Sequence, residues 1–412
     1  MLPTSETYKR NGATMYALTY GYDARGNVQS VSNGTETTTY EYDALNRLTK
    51  ETINGTVKSY TYNNEDKGRM SSFNGNALTY DNCGRLTNFG STTLTYDNYG
   101  NRLTKGNSVY TWTRGRLLQS VGGTTFEYDA KGRRTKKGSM EYYYDGDKLI
   151  AEVRSNNTLY YFYDAKGVCG FRYNGEDYEY IKNLFGDIVG IAQGVTLVAR
   201  YEYDIWGNCT VAYDPEGIGA INPFRYRGYY FDTESGLYYL QSRYYDPEIG
   251  QFISMDTPDY LAPETIGGVD LYAYCGYNPV MYVDPSGHLA ISMSIAIFLA
   301  LYGETLVIAG LLVAGTVAGG VIGYNISKNS SEKEPSLGDL VYGTILGAVA
   351  GFAVVGAVIG LAALTASLVL KGGFVIGALT LKQIALQGFA YFNIGTAIFA
   401  GLAATEAVLI EI

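Results

Sequence analysis

A short unit built on Tyr-Asp recurs through the first half of this 412-residue chain, mostly every 16–20 residues. Polar and apolar residues alternate ahead of each Tyr, as in residues 37–42, which predicts a half-buried strand. Asp followed three residues later by Gly predicts a tight turn, because Asp accepts hydrogen bonds from nearby backbone N–H groups and Gly tolerates positive φ. Each unit therefore predicts a β-hairpin, and hairpins that cannot bury a face alone must stack into an array. The units are centred on Tyr22, Tyr42, Tyr62, Tyr80, Tyr96, Tyr128, Tyr144, Tyr163 and Tyr203.

Composition and charge exclude several classes of function. The net charge is −9 without any basic block, which argues against a nucleic-acid partner. The single histidine, His288, excludes a metal site with two histidines, and the four cysteines have no CxxC spacing. We therefore expect no metal and no cofactor. The amino terminus is polar, carries no signal peptide and begins inside the repeat pattern, so we expect the chain to be the C-terminal piece of something longer.

A second set of motifs follows the repeats in register. It comprises Asn-Pro-Phe-Arg-Tyr-Arg-Gly-Tyr-Tyr-Phe-Asp (222–232), Ser-Gly-Leu-Tyr-Tyr-Leu (235–240), Arg-Tyr-Tyr-Asp-Pro (243–247), Gly-Gln-Phe-Ile-Ser (250–254) and Asp-Pro-Ser-Gly (284–287). With the repeats, these motifs resemble the RHS family over residues of about 15–288. The resemblance implies a mainly β fold: a spiral of antiparallel hairpins forming part of a shell, with a core that plugs one end before a variable cargo. It divides the chain into repeats (1–214), RHS-associated core (215–288) and tail (289–412).

The resemblance also implies that the core is an internal aspartyl protease that cuts the chain just after the Asp-Pro-x-Gly motif. Asp256 and Asp284 occupy the family's two catalytic positions, and Asp270 is an alternative partner. Such chemistry needs two carboxylates close together, one protonated and one able to activate water. The expected cleavage site is His288 and Leu289. The competing interpretation is that these aspartates only cap turns.

The sequence departs from the family pattern at two positions in this region. Gln251 stands where the family usually has an Arg that could orient a carboxylate. His288 stands where an aliphatic residue is usual. Both departures bear on whether the core cleaves or only plugs the shell.

The tail differs in composition from the rest of the chain. Residues 305–327, 340–370 and 383–405 carry no charge, and each run is long enough for a membrane helix. Glycines at four-residue spacing share one helix face and let two backbones approach closely in lipid. We expect an all-α transmembrane tail with helices at 305–327, 340–370 and about 374–403; the alternatives are a buried helical hairpin of a soluble toxin domain or a chain stored inside the shell. The expected helix-packing glycines are Gly315, Gly319, Gly323, Gly343, Gly347, Gly351, Gly356 and Gly360.

These features favour a polymorphic toxin of interbacterial competition, located in a membrane or secreted to the cell surface. Its expected partners are a membrane, its own C-terminal segment as cargo and a cognate immunity protein. The tail either permeabilises a bilayer or translocates a catalytic domain missing from a truncated cassette. The alternative from another class is a surface or wall-associated adhesion protein anchored by its tail, which would be neither cut nor toxic.

Overall fold

Residues 5–213 form one antiparallel sheet in which each strand pairs with its neighbours in sequence. The computed structural model describes residues 3–10, 12–66, 68–164, 167–257, 270–288 and 290–292, all within one unit of the chain, Met1–Leu301. The sheet has 23 strands within these ranges. They are β1 Ser5–Arg10, β2 Ala13–Tyr22, β3 Val28–Ser32, β4 Thr37–Tyr42, β5 Leu48–Ile53, β6 Thr56–Asn63, β7 Arg69–Phe73, β8 Asn76–Tyr80, β9 Leu86–Phe89, β10 Thr92–Tyr96, β11 Arg102–Lys105, β12 Ser108–Thr113, β13 Leu117–Val121, β14 Thr124–Tyr128, β15 Arg134–Lys137, β16 Met140–Asp145, β17 Lys148–Val153, β18 Thr158–Asp164, β19 Gly167–Tyr173, β20 Glu176–Lys182, β21 Ile188–Gln193, β22 Thr196–Tyr203 and β23 Cys209–Tyr213.

The hairpin β4–β5 shows how one Tyr-Asp unit folds. Asp43 Oδ1 accepts hydrogen bonds from the backbone N–H groups of Leu45 and Arg47, both at 2.9 Å, and so closes the turn. Asn46 takes the position that Gly has in other units, with a left-handed φ of 61°. The Tyr42 hydroxyl donates to the Val28 carbonyl oxygen at 2.6 Å, which ties this hairpin to the one before it.

A β-bulge recurs at the Tyr just ahead of the turn, which begins with Asp43, Asn63 or Asp81 in three of the hairpins. The register shifts between Glu41 and Tyr42, and the same shift occurs between Thr61 and Tyr62 and between Thr79 and Tyr80. A bulge bends its strand and increases the local twist. Because it repeats, it adds curvature at regular intervals and favours a sheet that winds on itself.

The sheet does wind on itself, since its early and late strands are in contact. The backbone N–H of Leu184 donates to Glu6 Oε1 at 2.9 Å, and Lys58 Nζ lies 2.7 Å from Asp204 Oδ2. The largest buried cluster includes Tyr40 from β4, and it also includes aromatic residues from beyond residue 213. The core therefore lies between the inner face of the wound sheet and the segment that follows it.

That following segment, which we call the plug (residues 214–292), carries short elements packed inside the sheet. A four-stranded antiparallel sheet is its centre. Its elements are α1 Ile218–Ile221, a 3₁₀ turn at Tyr226–Gly228, β24 Tyr230–Asp232, β25 Leu237–Tyr239, β26 Tyr244–Asp246, β27 Gln251–Phe252, a 3₁₀ turn at Cys275–Tyr277, β28 Tyr282–Val283 and β29 Ile291–Ser292. Strands β28 and β29 pair with each other as a separate antiparallel ribbon.

The prediction of a mainly β array of antiparallel hairpins is confirmed. The longest described α-helix has four residues and follows the sheet, so the described part of the array contains strands and turns but no long helix. The predicted helical tail lies outside the described residues. Within the described ranges, no helix is both long and apolar enough to cross a membrane.

Candidate functional site

Three separate parts of the plug bring Arg243, Asp256 and Asp284 together. Arg243 lies just before β26, Asp256 follows β27 and Asp284 follows β28. Arg243 Nη2 lies 2.8 Å from Asp256 Oδ2 and 3.6 Å from Asp284 Oδ2. All three side chains are almost fully covered. The two aspartates that the sequence pairs therefore meet on a single guanidinium nitrogen.

Arg243 is held in place from every side. Its guanidinium carbon lies 3.6 Å from the centre of the Phe252 ring, and its Nη1 donates to the Leu271 carbonyl oxygen at 2.9 Å. Its Nε donates to the Gly287 carbonyl oxygen. Burial lowers the pKa of Arg243 to about 10, against the opposing effect of the two aspartates. Its positive charge is thus fixed between the two carboxylates at neutral pH.

The Asp-Pro-Ser-Gly loop is closed by its own aspartate. Asp284 Oδ1 accepts hydrogen bonds from the backbone N–H groups of Gly287 at 2.8 Å and His288 at 3.0 Å. Gly287 has a φ of 79°, and a Cβ there would lie 2.6 Å from Ser242 Oγ and 2.9 Å from the Leu240 carbonyl oxygen. Both the turn and the close approach require glycine at this position.

His288 contacts both aspartates. Its ring nitrogen Nδ1 lies 2.7 Å from Asp256 Oδ1, in addition to the backbone bond to Asp284. The His288 side chain is 30% exposed, whereas the two carboxylates are nearly covered. Leu289, the other residue of the expected cleavage site, lies outside the described residues, as do the eight tail glycines from Gly315 to Gly360.

A turn of the repeat sheet positions the segment that carries Asp256. The Arg102 backbone N–H donates to the Ile253 carbonyl oxygen at 2.9 Å, and that of Met255 donates to the Gly100 carbonyl oxygen at 3.3 Å. Arg116 Nη1 donates to the Met255 carbonyl oxygen at 3.0 Å. Gly100 is closely approached here, since a Cβ on it would lie 2.6 Å from the Tyr272 hydroxyl. A repeat unit of the sheet therefore also holds the segment that carries Asp256 in place.

Burial raises the pKa of Asp284, although Arg243 and the loop N–H groups act in the opposite direction. The Asp284 backbone N–H lies 3.1 Å from the Tyr229 hydroxyl oxygen, which adds a buried contact on that side. Asp284 therefore keeps a proton to higher pH than an ordinary carboxyl. Asp256 has the closer ion pair with Arg243, so the two carboxylates differ in environment.

Asp270, the alternative partner, is engaged by other groups. Its Oδ2 accepts a hydrogen bond from the Tyr277 hydroxyl and lies 3.9 Å from Arg69 Nε. Its Oδ1 accepts from the Tyr272 backbone N–H at 3.0 Å. Burial raises its pKa as well. The geometry thus favours Asp256 with Asp284 as the pair.

Two features of the site were missed by the sequence analysis. Gln251, which replaces the family's usual Arg, donates to the Tyr80 hydroxyl at 3.0 Å. Arg243 instead supplies the guanidinium that contacts the carboxylates. Arg243 opens the Arg-Tyr-Tyr-Asp-Pro motif, which was used only as a mark of resemblance. No group of three or more His, Cys, Asp or Glu side chains in the described ranges is placed to hold a metal ion.

The fold and the site define a YD-repeat shell whose plug carries a buried pair of aspartates on a shared arginine. The family model described as teneurin YD-shell matches residues 1–280. The chain therefore belongs to the teneurin YD-shell family, and the prediction of an RHS/YD-repeat protein of the polymorphic-toxin type is confirmed.

Curated relatives and solved structures agree with this assignment. The tRNA3(Ser)-specific nuclease WapA of Bacillus spizizenii is 40% identical over 151 residues, which are 35% of this chain and 6% of that protein. The toxin protein Tse5 of Pseudomonas aeruginosa is 44% identical over 73 residues, which are 18% of this chain and 5% of that protein. The crystal structure of TcdB2-TccC3 matches with a TM-score of 0.50 at 20% identity, over 66% of this chain and 17% of that one, and shows the same fold. The chain thus spans a small part of each relative's length.

Proposed function

We propose that this chain is part of a secreted or surface-exposed toxin shell that cuts its own polypeptide between His288 and Leu289. The cut frees segment 289–412 as a membrane-active cargo. One observation carries the proposal: Asp256 and Asp284 share Arg243, while the loop that leads to the cleavage site hydrogen-bonds to Asp284 through its backbone.

The difference between the environments of the two carboxylates supports a division of roles between them. Asp284, whose pKa is raised by burial, is the acid. Asp256, ion-paired with Arg243 at 2.8 Å, is the base. Asp256 accepts a proton from a water molecule while the oxygen of that water attacks the carbonyl carbon of His288. Asp284 then gives its proton to the Leu289 nitrogen as the C–N bond breaks. The products are a carboxylate at His288 and an amine at Leu289.

Purified full-length protein tests this proposal. Wild type should yield a fragment beginning at Leu289, and Asp256→Asn and Asp284→Asn should each leave the chain intact. Asp270→Asn is the matched control, because it neutralises another buried aspartate and should still allow the cut. Circular dichroism and melting temperature should establish that all three variants fold. An uncut wild-type chain at every pH would reduce the core to a plug.

For the freed segment we propose helices at 305–327, 340–370 and about 374–403 that associate through glycine faces in a bilayer. Length, scarcity of charge and the four-residue glycine spacing support this. A cognate immunity protein would then protect the producing cell against the segment.

Expression of the tail in cells with a potential-sensitive dye tests its activity. Wild-type tail should depolarise the membrane, whereas Gly347→Leu with Gly351→Leu should still insert but fail to depolarise, because Leu blocks close helix approach. Membrane fractionation without depolarisation by either version would indicate an anchor and favour a surface adhesion protein. Recovery of the tail as a detergent-free soluble monomer would exclude both.

A further inference from the structure

His288 occupies the position before the proposed cut and also binds the proposed base. Its imidazole Nδ1 lies 2.7 Å from Asp256 Oδ1, and its backbone N–H donates to Asp284 Oδ1 at 3.0 Å. His288 therefore has two parts in the site. Its carbonyl group is the one to be attacked, and its side chain binds Asp256, the carboxylate that would activate the water.

Two further donors contact Asp256. Oδ2 is paired with Arg243 at 2.8 Å, and Oδ1 accepts the backbone N–H of Thr257 at 2.7 Å beside the imidazole. Each donor on Oδ1 occupies an acceptor site through which a water could otherwise donate its proton. The imidazole and the Thr257 N–H together take both acceptor sites of Oδ1. An aliphatic side chain at position 288 would leave one of these sites open to water.

We propose that His288 is a positioning residue that restrains the cleavage reaction. In the resting chain its imidazole holds Asp256 inactive, and cleavage begins when that contact opens. This inference rests on the proposed function of Asp256 and Asp284. The His288 side chain reaches the surface of the plug, since it is 30% exposed, so the imidazole can leave Asp256 without unfolding the core.

The test compares cleavage rates of the full-length chain with His288→Leu and His288→Asn. Leu removes the polar contact, whereas the Asn amide nitrogen can take the place of Nδ1 and keep a donor on Asp256. We expect His288→Leu to be cut about tenfold faster than wild type, in line with the loss of one hydrogen bond to a charged group. His288→Asn should be cut at close to the wild-type rate, a rescue that loss of packing alone would not produce.

The outcomes separate the two proposals. A His288→Leu rate equal to or below that of wild type overturns the restraint, and a lower rate would indicate that the imidazole carries protons for the reaction. Cleavage that persists in a His288→Leu, Asp256→Asn double variant overturns the aspartyl mechanism instead. If neither wild type nor His288→Leu is cut at any pH, both proposals fail.

Discussion

Arg102 Nη1 lies 2.6 Å from Asp246 Oδ2, in an ion pair between the repeat sheet and the plug in which both side chains are almost fully buried. Lys105, on the same strand as Arg102, lies 2.8 Å from the same carboxylate oxygen. A second clamp repeats the pattern four strands further on, in β15, where Arg134 and Lys137 both contact Asp232. Two Arg-x-x-Lys strands of the shell thus each hold the aspartate at the end of one plug strand.

Replacing Asp246 with Ala should therefore destabilise the protein strongly. Removing one partner of a buried pair leaves Arg102 charged and uncompensated, which costs about 3–5 kcal/mol. Urea denaturation should show this loss in the free energy of unfolding. Glu248→Ala is the control, because Glu248 also pairs with Lys105 but is 66% exposed; its removal should change stability by less than about 1 kcal/mol. Equal effects of the two substitutions would contradict the role of the buried clamp.

Stability should fall as the pH rises from the ordinary range of a Glu carboxyl to about 8, because of Glu51. Burial raises the pKa of Glu51 to about 8, with only weaker compensation from Lys58 and the Ile205 backbone N–H. The folded protein therefore binds a proton that the unfolded chain has already lost, and stability decreases as the pH rises from the ordinary Glu range toward 8, by about 1.4 kcal/mol for each unit of pKa difference.

Glu51→Gln should remove that dependence, because the amide remains neutral and can still accept the Ile205 N–H. Melting temperatures measured from pH 5 to pH 9 should converge for wild type and variant at low pH, and the variant should be the more stable at high pH. Glu41→Gln, at a side chain that is 64% exposed, should follow wild type throughout. Parallel curves for Glu51→Gln and wild type would exclude Glu51 as the titrating group.

Gly287→Ala should abolish cleavage while leaving the sheet folded. A methyl group at this position would collide with Ser242 Oγ and the Leu240 carbonyl oxygen, on a backbone with positive φ. The backbone of Gly287 and His288 would then move away from the Asp284 carboxylate and from Arg243. Gly236→Ala is the matched control within the plug, since it has a φ of 71° but nothing within 4 Å of the added Cβ. That variant should cost about 1 kcal/mol and still be cut; cleavage by both variants at the wild-type rate would show that the loop geometry is not required.

The sequence predicted what short-range chemistry determines. Asp43 and Asn46 form one turn with residues only a few positions away in the chain, so periodicity and turn chemistry were sufficient to predict it. The clamp between Arg102 and Asp246 joins residues 144 positions apart, and no local pattern marks either as a partner. Arg243 was missed for the same reason, because its partners reach it only after the plug has folded.

The exact mass of the amino-terminal fragment is the most decisive test of self-cleavage by Asp256 and Asp284. Full-length wild type is folded, allowed to react in water enriched in heavy oxygen, and analysed by intact-mass spectrometry beside Asp256→Asn. Wild type should give a fragment that ends at His288 and has gained one heavy oxygen atom in its new carboxylate, and the variant should give no such fragment. A wild-type chain that stays whole, or the same fragment from Asp256→Asn, would contradict self-cleavage by these two aspartates.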